Sequence, residues 1–428
     1  MDKDNLFKFK NLLDFVFDNK CSSFYRDKYQ KVGFIPKVNF QSLADIKKIP
    51  LLSKEELMNE DPYRLLFVPE KEAEIISPTS GTTTGKPFVT FQSLKDRQGF
   101  TEKVNPKLRV KRLLTLLSPF RAPTTCLPMK DAPISHILVG DIFNLPVSVY
   151  LASRLQVDRI DTTPTFAIIL KKHLANYPDF EKNIRTIALA GELVSPEKKK
   201  TLRKLYPDKE IFITYGLSEA GGSITSQCHP LAERDDEIFF HLMMDVCYFE
   251  IIDPKTEKEV PLGKKGELVI TRFNSWATPL LRYRTGDLAS FEKNDCSCGA
   301  PGPLLKVYGR IKYDIVKVGG FELRSDALEK ALINLNSYLE DSFEAHIRET
   351  FIGAKPKICL TLNLSLLKGV KDSLLIRKKI EEELLKNWWI SPRFNLEKAV
   401  GVGLFEISQI NFIKFPVSTK TRRLLILE

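Results

Sequence analysis

Ser77-Pro78-Thr79-Ser80-Gly81-Thr82-Thr83-Thr84-Gly85-Lys86-Pro87 lies between two β-prone runs, Glu74-Ile75-Ile76 and Phe88-Val89-Thr90-Phe91, and reads as a loop joining two strands. Its two glycines allow tight backbone turns, its hydroxyls offer donors, and Lys86 supplies positive charge. Together they suit a loop folded over polyphosphate oxygens. It is not a Walker loop, which needs Gly-x-x-x-x-Gly-Lys-Ser/Thr opening a helix. Here Pro87, a breaker of helix interiors, follows the lysine. Composition alone leaves a plain solvated loop as the alternative.

The chain has 428 residues, 43% hydrophobic and 28% charged, enough to bury a large core divided among two or more domains. No apolar run approaches the roughly 20 residues that span a bilayer. Met1-Asp2-Lys3-Asp4-Asn5 followed by Phe7-Lys8-Phe9-Lys10 has no apolar signal-peptide core, so a cytoplasmic location is expected. The net charge of +11 is dispersed, its clusters (Lys198-Lys199-Lys200, Lys264-Lys265, Arg422-Arg423) being short, and no nucleic-acid or membrane partner is expected. Seven cysteines, in a compartment expected to be reducing, argue for metal ligands or inert core rather than disulfides.

Residues 5 to 30 read as one amphipathic helix, with Phe7, Leu12, Leu13, Phe15 and Val16 apolar. Two short helices follow around Ser42-Leu43-Ala44-Asp45-Ile46 and Ser53-Lys54-Glu55-Glu56-Leu57, Ser53 being an N-cap with Glu56 three residues on. From Leu113 to Ile213, short apolar runs at 134–139, 159–163, 186–190 and 211–214 alternate with helical stretches, which predicts βα units and a largely parallel sheet. Ligands of such sheets bind beyond the carboxyl ends of the strands, making Gly191-Glu192 and Tyr215-Gly216-Leu217-Ser218-Glu219 candidates. Residues 249 to 291 read as an antiparallel β-rich module. Beyond 311 the order is helix (324–335), strand (343–347), strand (357–362), helix (370–387) and strand (402–410). The expected class is therefore α/β with α+β parts. A large N-terminal domain of parallel βα sheet plus a β-rich module (1–311) precedes a small α+β C-terminal domain (312–428).

The word Ser80-Gly81-Thr82-Thr83-Thr84-Gly85-Lys86-Pro87 resembles the phosphate loop of the AMP-forming adenylating enzymes, which include acyl-CoA synthetases, adenylation domains and luciferase relatives. The phrase from Ser42 through Asp45 and Pro50 to Lys54-Glu55-Glu56-Leu57 looks like their phenylacetate-CoA ligase branch. Ala190-Gly191-Glu192-Leu193 and Tyr215-Gly216-Leu217-Ser218-Glu219 resemble two adenine-pocket motifs, the tyrosine ring packing on the base and Glu219 reaching Mg²⁺. Tyr283-Arg284-Thr285-Gly286-Asp287-Leu288 is similar to the element whose aspartate accepts from the ribose hydroxyls. Gly309-Arg310-Ile311-Lys312 resembles the hinge before a mobile C-terminal domain, with Lys312 as pivot and Gly319-Gly320 lining the thiol channel. At the C-terminus the family has a proline, a polar loop and Gly-Lys. Here Thr419 replaces the glycine before Lys420, so a basic tail stands as the other reading of the catalytic lysine.

The resemblance implies that a carboxylic acid, aryl or arylacetic being the first class to try, attacks ATP to give an acyl-adenylate and pyrophosphate, after which the thiol of coenzyme A displaces AMP. Glu219, Lys86 and Lys420 would be catalytic. Thr79, Ser80, Gly81, Thr82, Thr83, Gly85, Gly191, Glu192, Tyr215, Gly216, Ser218, Asp287 and Arg310 would bind the nucleotide. Phe120, His136, Phe143 and Phe166 are candidates for an aromatic-lined acid cavity. Alternatives are transfer to a carrier protein, amide or ester ligation, and a non-catalytic nucleotide-binding homologue. A homodimer is an expected assembly. Cys296-Ser297-Cys298 supplies two thiolates that a more distant Cys and His would complete into a closed structural zinc site. The branch's pattern points to Cys228, His241, Cys296 and Cys298, with His229 competing for the fourth place and metal-free loop thiols as the alternative.

Overall fold

Phe9, Leu12, Leu13 and Val16 recur at helical spacing and are wholly buried, which draws Asp2–Phe17 into a helix. The computed structural model describes residues 2–78, 88–97, 111–117, 136–142, 144–192, 194, 196–234, 237–310, 315–319, 321–352, 355–391, 394–414 and 422–426. The expected single helix over 5–30 is two, Asp2–Phe17 and Phe24–Lys31. Asn19 separates them: its side chain accepts from Cys21 N at 2.8 Å and Ser22 N at 3.0 Å and donates to Phe67 O at 3.0 Å. A side chain that bonds nearby backbone competes with helix continuation. Ser53 caps Lys54–Asn59 through the expected box, Glu56 N donating to Ser53 Oγ at 3.2 Å and Ser53 N to Glu56 Oε2 at 2.8 Å. The segment at Leu43–Lys48 is a 3₁₀ rather than an α turn.

The chain forms two compact units, one of Met1–Thr163, His173–Gly191 and Pro196–Gly309, the other of Pro164–Lys172, Glu192–Ser195 and Arg310–Glu428. In the first, β1 (Ile75–Pro78) and β2 (Val89–Gln92) are the two strands flanking the Ser/Thr/Gly loop, paired antiparallel. Strands β3 (Arg112–Leu116), β4 (His136–Val139), β5 (Arg159–Thr162), β6 (Thr186–Leu189) and β7 (Glu210–Ile213) form the expected parallel sheet in the order β4-β3-β5-β6-β7. All four residues of the interior strand β6 are buried, as strands covered on both faces require. A short hairpin follows, β8 (Gly216–Leu217) and β9 (Gly222–Ser223).

The β-rich module is larger than the sequence suggests. It joins β10 (Thr225–Ser226), β11 (Phe240–Leu242), β12 (Cys247–Ile252), β13 (Gly266–Arg272), β14 (Leu280–Glu292) and β15 (Leu304–Arg310) in the order β10-β11-β15-β14-β13-β12. The strand that begins at Leu280 does not stop at Arg284: Thr285 to Leu288 also lie inside β14. The ladder slips there, Glu267 facing Leu288 and Val269 facing Arg284, and Gly286 at φ +72° accommodates the extra residues. That bulge re-aims Asp287, the use proteins commonly make of one.

The second unit contains the hairpin β16 (Ile315–Val318) and β17 (Phe321–Arg324), the helix Ser325–Leu332, and the long antiparallel pair β18 (Leu339–Ile352) and β19 (Lys355–Leu366). The next helix begins at Leu374, not 370, because Ser373 Oγ accepts from Ile376 N at 3.3 Å and caps it there. After β20 (Trp389–Ser391) and β21 (Phe394–Asn395), Asn395 caps an unforeseen helix, Leu396–Gly401. The strand expected over 402–410 starts only at Phe405, since Gly403 at φ +75° ends that helix first. That strand, β22 (Phe405–Phe412), and the last, β23 (Arg422–Ile426), add in parallel to β19 and β18 and complete the sheet β22-β19-β18-β23. Leu360, Leu362, Ile380, Leu384 and Trp388 are fully buried in its core.

Candidate active site

Tyr215-Gly216 follows β7 at its carboxyl end, where ligands of parallel sheets bind. The backbone of Tyr215 is held by four bonds to Ile224 and Thr225: its N–H donates to Thr225 Oγ1 at 2.9 Å, and its carbonyl accepts from Ile224 N at 3.0 Å, Thr225 Oγ1 at 3.1 Å and Thr225 N at 3.2 Å. Gly216 must be glycine, because a Cβ there would meet Gly222 O at 2.3 Å across the hairpin. Ser218 to Gly221 form the tight turn of that hairpin, Gly221 N donating to Ser218 O at 3.0 Å. Glu219 sits in this turn, yet it is only 8% exposed. A solvated turn carboxylate, the bland alternative, is thereby set aside.

Two donors converge on Oε1 of Glu219. Lys54 Nζ lies 3.2 Å away and Tyr283 Oη donates at 3.3 Å. Tyr215 Oη donates to Asp287 Oδ2 at 2.6 Å, so the expected adenine tyrosine and ribose aspartate are in direct contact. Asp287 is 6% exposed, its N–H donating to Thr285 Oγ1 at 3.1 Å, while Thr285 Oγ1 donates to Leu268 O at 2.8 Å. Thus the β8–β9 hairpin, with Tyr215 leading into it, and the β14 bulge, distant in sequence, bring together a phenol ring and the carboxylates of Asp287 and Glu219. That set of groups can take a nucleoside ring, its diol and a cation.

Sequence reasoning did not single out Lys54 or Tyr283, although both stand inside quoted motifs. Their signal was motif membership and nothing periodic. Of the residues expected to hold nucleotide, Gly191 lies at φ +92° beyond β6. Glu192 belongs to the second unit and accepts from Thr165 Oγ1 at 2.7 Å and Thr165 N at 3.3 Å. Arg310 ends β15. Thr79, Ser80, Gly81, Thr82, Thr83, Gly85, Lys86, Lys312, Gly320 and Lys420 lie outside the described residues, as do Phe120 and Phe143. Phe166 falls within Pro164–Lys172 of the second unit. His136 does not fit an acid cavity. It is exposed and opens β4, the amino end of that strand, whereas ligands bind at the carboxyl ends.

Apart from this site, Cys228, His241, Cys296 and Cys298 bring their ligand atoms within 4.8 Å of one another. Cys228 Sγ lies 3.3 Å from His241 Nε2 and 3.3 Å from Cys296 Sγ, and Cys298 Sγ lies 3.2 Å from His241 Nε2. Ligands bound at zinc distances in a tetrahedron stand about 3.3–3.8 Å apart. His229 is not in this group; it opens the helix His229–Ala232 after Cys228. Asn294 shapes the Cys-x-Cys turn, accepting from Cys296 N at 3.0 Å and donating to Ala300 O at 2.6 Å and Gly302 O at 2.8 Å. Burial, with Arg234 nearby, pushes His241 below its ordinary value and so favours the neutral imidazole that ligates metals. Burial also pushes the Cys228 thiol up to about 12, whereas a cation among the sulfurs would stabilise thiolates. Buried His241 Nδ1 has no hydrogen-bond partner, leaving Nε2 as the nitrogen aimed at the three sulfurs.

Comparison with known proteins agrees with these features. Residues 135–275 match the family model described as AMP-binding enzyme. Phenylacetate-coenzyme A ligase of Thermus thermophilus is 29% identical over 348 residues, covering 76% of this chain and 74% of that protein. The enzyme of the same name from Pseudomonas putida is 24% identical over 348 residues, covering 76% and 73%. Among solved structures, 2-hydroxyisobutyryl-CoA ligase in complex with 2-HIB-AMP and CoA superposes with a TM-score of 0.68 at 18% identity, over 99% of this chain and 89% of that one. The chain is thus similar, over residues 135–275 and over about three quarters of its length, to AMP-binding enzymes and phenylacetate-coenzyme A ligases. Both of these relatives are phenylacetate-coenzyme A ligases, which is the branch the motifs resemble.

Proposed function

We propose that this protein is an AMP-forming acid–thiol ligase. It joins a small carboxylic acid to ATP as an acyl-adenylate, releasing pyrophosphate, and passes the acyl group to the thiol of coenzyme A, releasing AMP. The observation that carries this reading is the contact of Tyr215 with Asp287 and of buried Glu219 with Tyr283, by which two motifs distant in sequence meet.

The residues divide the work by chemistry. Tyr215 offers a flat aromatic face to adenine, and Asp287 accepts from the ribose diol once its bond to Tyr215 is exchanged. The buried carboxylate of Glu219 fits Mg²⁺ that arrives on its nucleotide, since that ion is usually held by one or two carboxylates plus substrate phosphates. When bound, Mg²⁺ would neutralise charge on the phosphates as the α-phosphorus is attacked. By resemblance, Thr79 to Lys86 would cradle the departing pyrophosphate and Lys420 would bridge the carboxylate and phosphate oxygens. Catalysis of this kind is positioning plus electrostatics, with no side-chain nucleophile. The division 1–311 and 312–428, with Lys312 as the pivot of a mobile C-terminal domain, belongs to the same proposal. ATP–pyrophosphate exchange over a panel of acids, aryl and arylacetic first, tests it. Acid-dependent exchange supports it, and ATP binding with no exchange across the panel favours a non-catalytic homologue.

We further propose that Cys228, His241, Cys296 and Cys298 hold a structural Zn²⁺, for which the donor set and spacing are suited. It would tie the Cys-x-Cys turn to β11 and the end of β10. Purified protein should then contain about one zinc per chain by elemental analysis. Cys296→Ser with Cys298→Ser should lose the metal and lower the thermal midpoint, because metal-binding free energy at such sites is folding free energy. A metal-free protein of undiminished stability would rule the site out.

The expected location in the cytoplasm stays a proposal; among the described residues, no helix is long and apolar enough to cross a membrane.

A further inference from the structure

Lys54 reaches Glu219 because the chain before it is strapped onto β14. Leu52 N donates to Arg282 O at 3.0 Å and Arg284 N to Leu52 O at 2.8 Å, a parallel bridge that sets Leu52 beside Tyr283. The strap is clamped from below by Arg282, whose guanidinium donates to Ile49 O at 2.8 Å and Lys47 O at 3.3 Å. The same guanidinium pairs with Glu250 at 2.9 Å, both side chains being almost wholly buried. Arg282 adopts φ +45°, a conformation non-glycine residues rarely take, and it is held there by this network. One residue past the bridge, the capped turn at Ser53 starts the helix, with Lys54 its first residue. Its side chain is 12% exposed and that of Glu219 9%.

We infer that Lys54 is a positioning residue for Glu219: its ammonium and the Tyr283 hydroxyl fix the carboxylate plane through Oε1, and its charge sets the affinity with which that carboxylate takes a divalent cation. This rests on the reading of Glu219 as the group that meets Mg²⁺. The sign follows from Coulomb's law, because a cation next to the carboxylate repels the incoming one while neutralising the buried charge in its absence. The strap is therefore more than packing. It tunes the metal step from a segment that touches neither adenine nor ribose in the scheme above.

The test is a Mg²⁺ titration of Lys54→Met, Lys54→Arg and Glu219→Gln, at a fixed concentration of an ATP analogue with a non-cleavable α,β linkage, read by thermal melting and by calorimetry. Lys54→Met keeps length and apolar stem but loses charge, and should lower the half-saturating Mg²⁺ about fivefold or more, a modest fraction of what one charge at this distance is worth. Lys54→Arg should stay within about twofold of the parent. Glu219→Gln should raise the half-saturating Mg²⁺. If Glu219→Gln shifts it while Lys54→Met lowers only the melting temperature, Lys54 is merely structural and the inference is overturned. Should Glu219→Gln leave the titration unchanged, the metal reading of Glu219 fails and the inference falls with it. Should Lys54→Met unfold, an unshifted Mg²⁺ midpoint in Lys54→Gln, also uncharged, overturns it equally.

Discussion

Glu219→Gln is expected to slow ATP–pyrophosphate exchange by about 100-fold or more, the loss typical when one contact that stabilises transition-state charge is removed. The substitution keeps the shape of the side chain and an oxygen able to accept from Tyr283, so the turn between β8 and β9 should persist. What it removes is the negative charge. Lys54 would then lack its carboxylate partner in a nearly buried position, which lowers stability as well. Rates should accordingly be measured at a temperature where circular dichroism shows the variant fully folded. Exchange within about threefold of the parent under those conditions would remove Glu219 from the catalytic groups.

Lys420→Ala is expected to produce a loss of similar size, about 100-fold, but confined to adenylate formation. The reasoning is chemical: attack of one anion on another needs a cation that meets carboxylate and phosphate together, whereas thiol attack on a finished adenylate expels AMP without a new anionic encounter. The two half-reactions separate cleanly in experiment. Exchange reports the first, and conversion of supplied acyl-adenylate to acyl-CoA reports the second. The variant should fail the first and retain the second. If both fell together, Lys420 would be a stabilising residue ahead of β23, and the small unit would have no separate part in each half-reaction.

The architecture was legible where one local pattern decides an element. The βα alternation over 113–213 gave four of the five strands of the parallel sheet, β3 not being singled out, and Ser53 with Glu56 gave a helix start, because both depend on neighbours in sequence. The break after Phe17 was not legible, because it depends on Asn19 reaching Phe67 O across the fold. Nor was the bulge in β14, which exists only as a mismatch with β13. The site shows the same division. Tyr215, Glu219 and Asp287 could be picked out by motif, but the bond between Tyr215 and Asp287 and the pairing of Lys54 with Glu219 join segments whose sequences carry no mark of each other. For the proposed metal ligands, spacing left His229 and His241 open. Strand β11, paired with β10 and β15, decides for His241 by carrying its ring to the three sulfurs.

The most direct measurement is a single-turnover reaction with the enzyme in excess over ATP and an aryl or arylacetic acid, quenched and resolved by mass spectrometry before and after addition of coenzyme A. The account predicts an acyl-adenylate with one equivalent of pyrophosphate in the first interval, then its replacement by acyl-CoA with one equivalent of AMP. Formation of ADP and phosphate, or acyl-CoA arising with no adenylate in either interval, would contradict it.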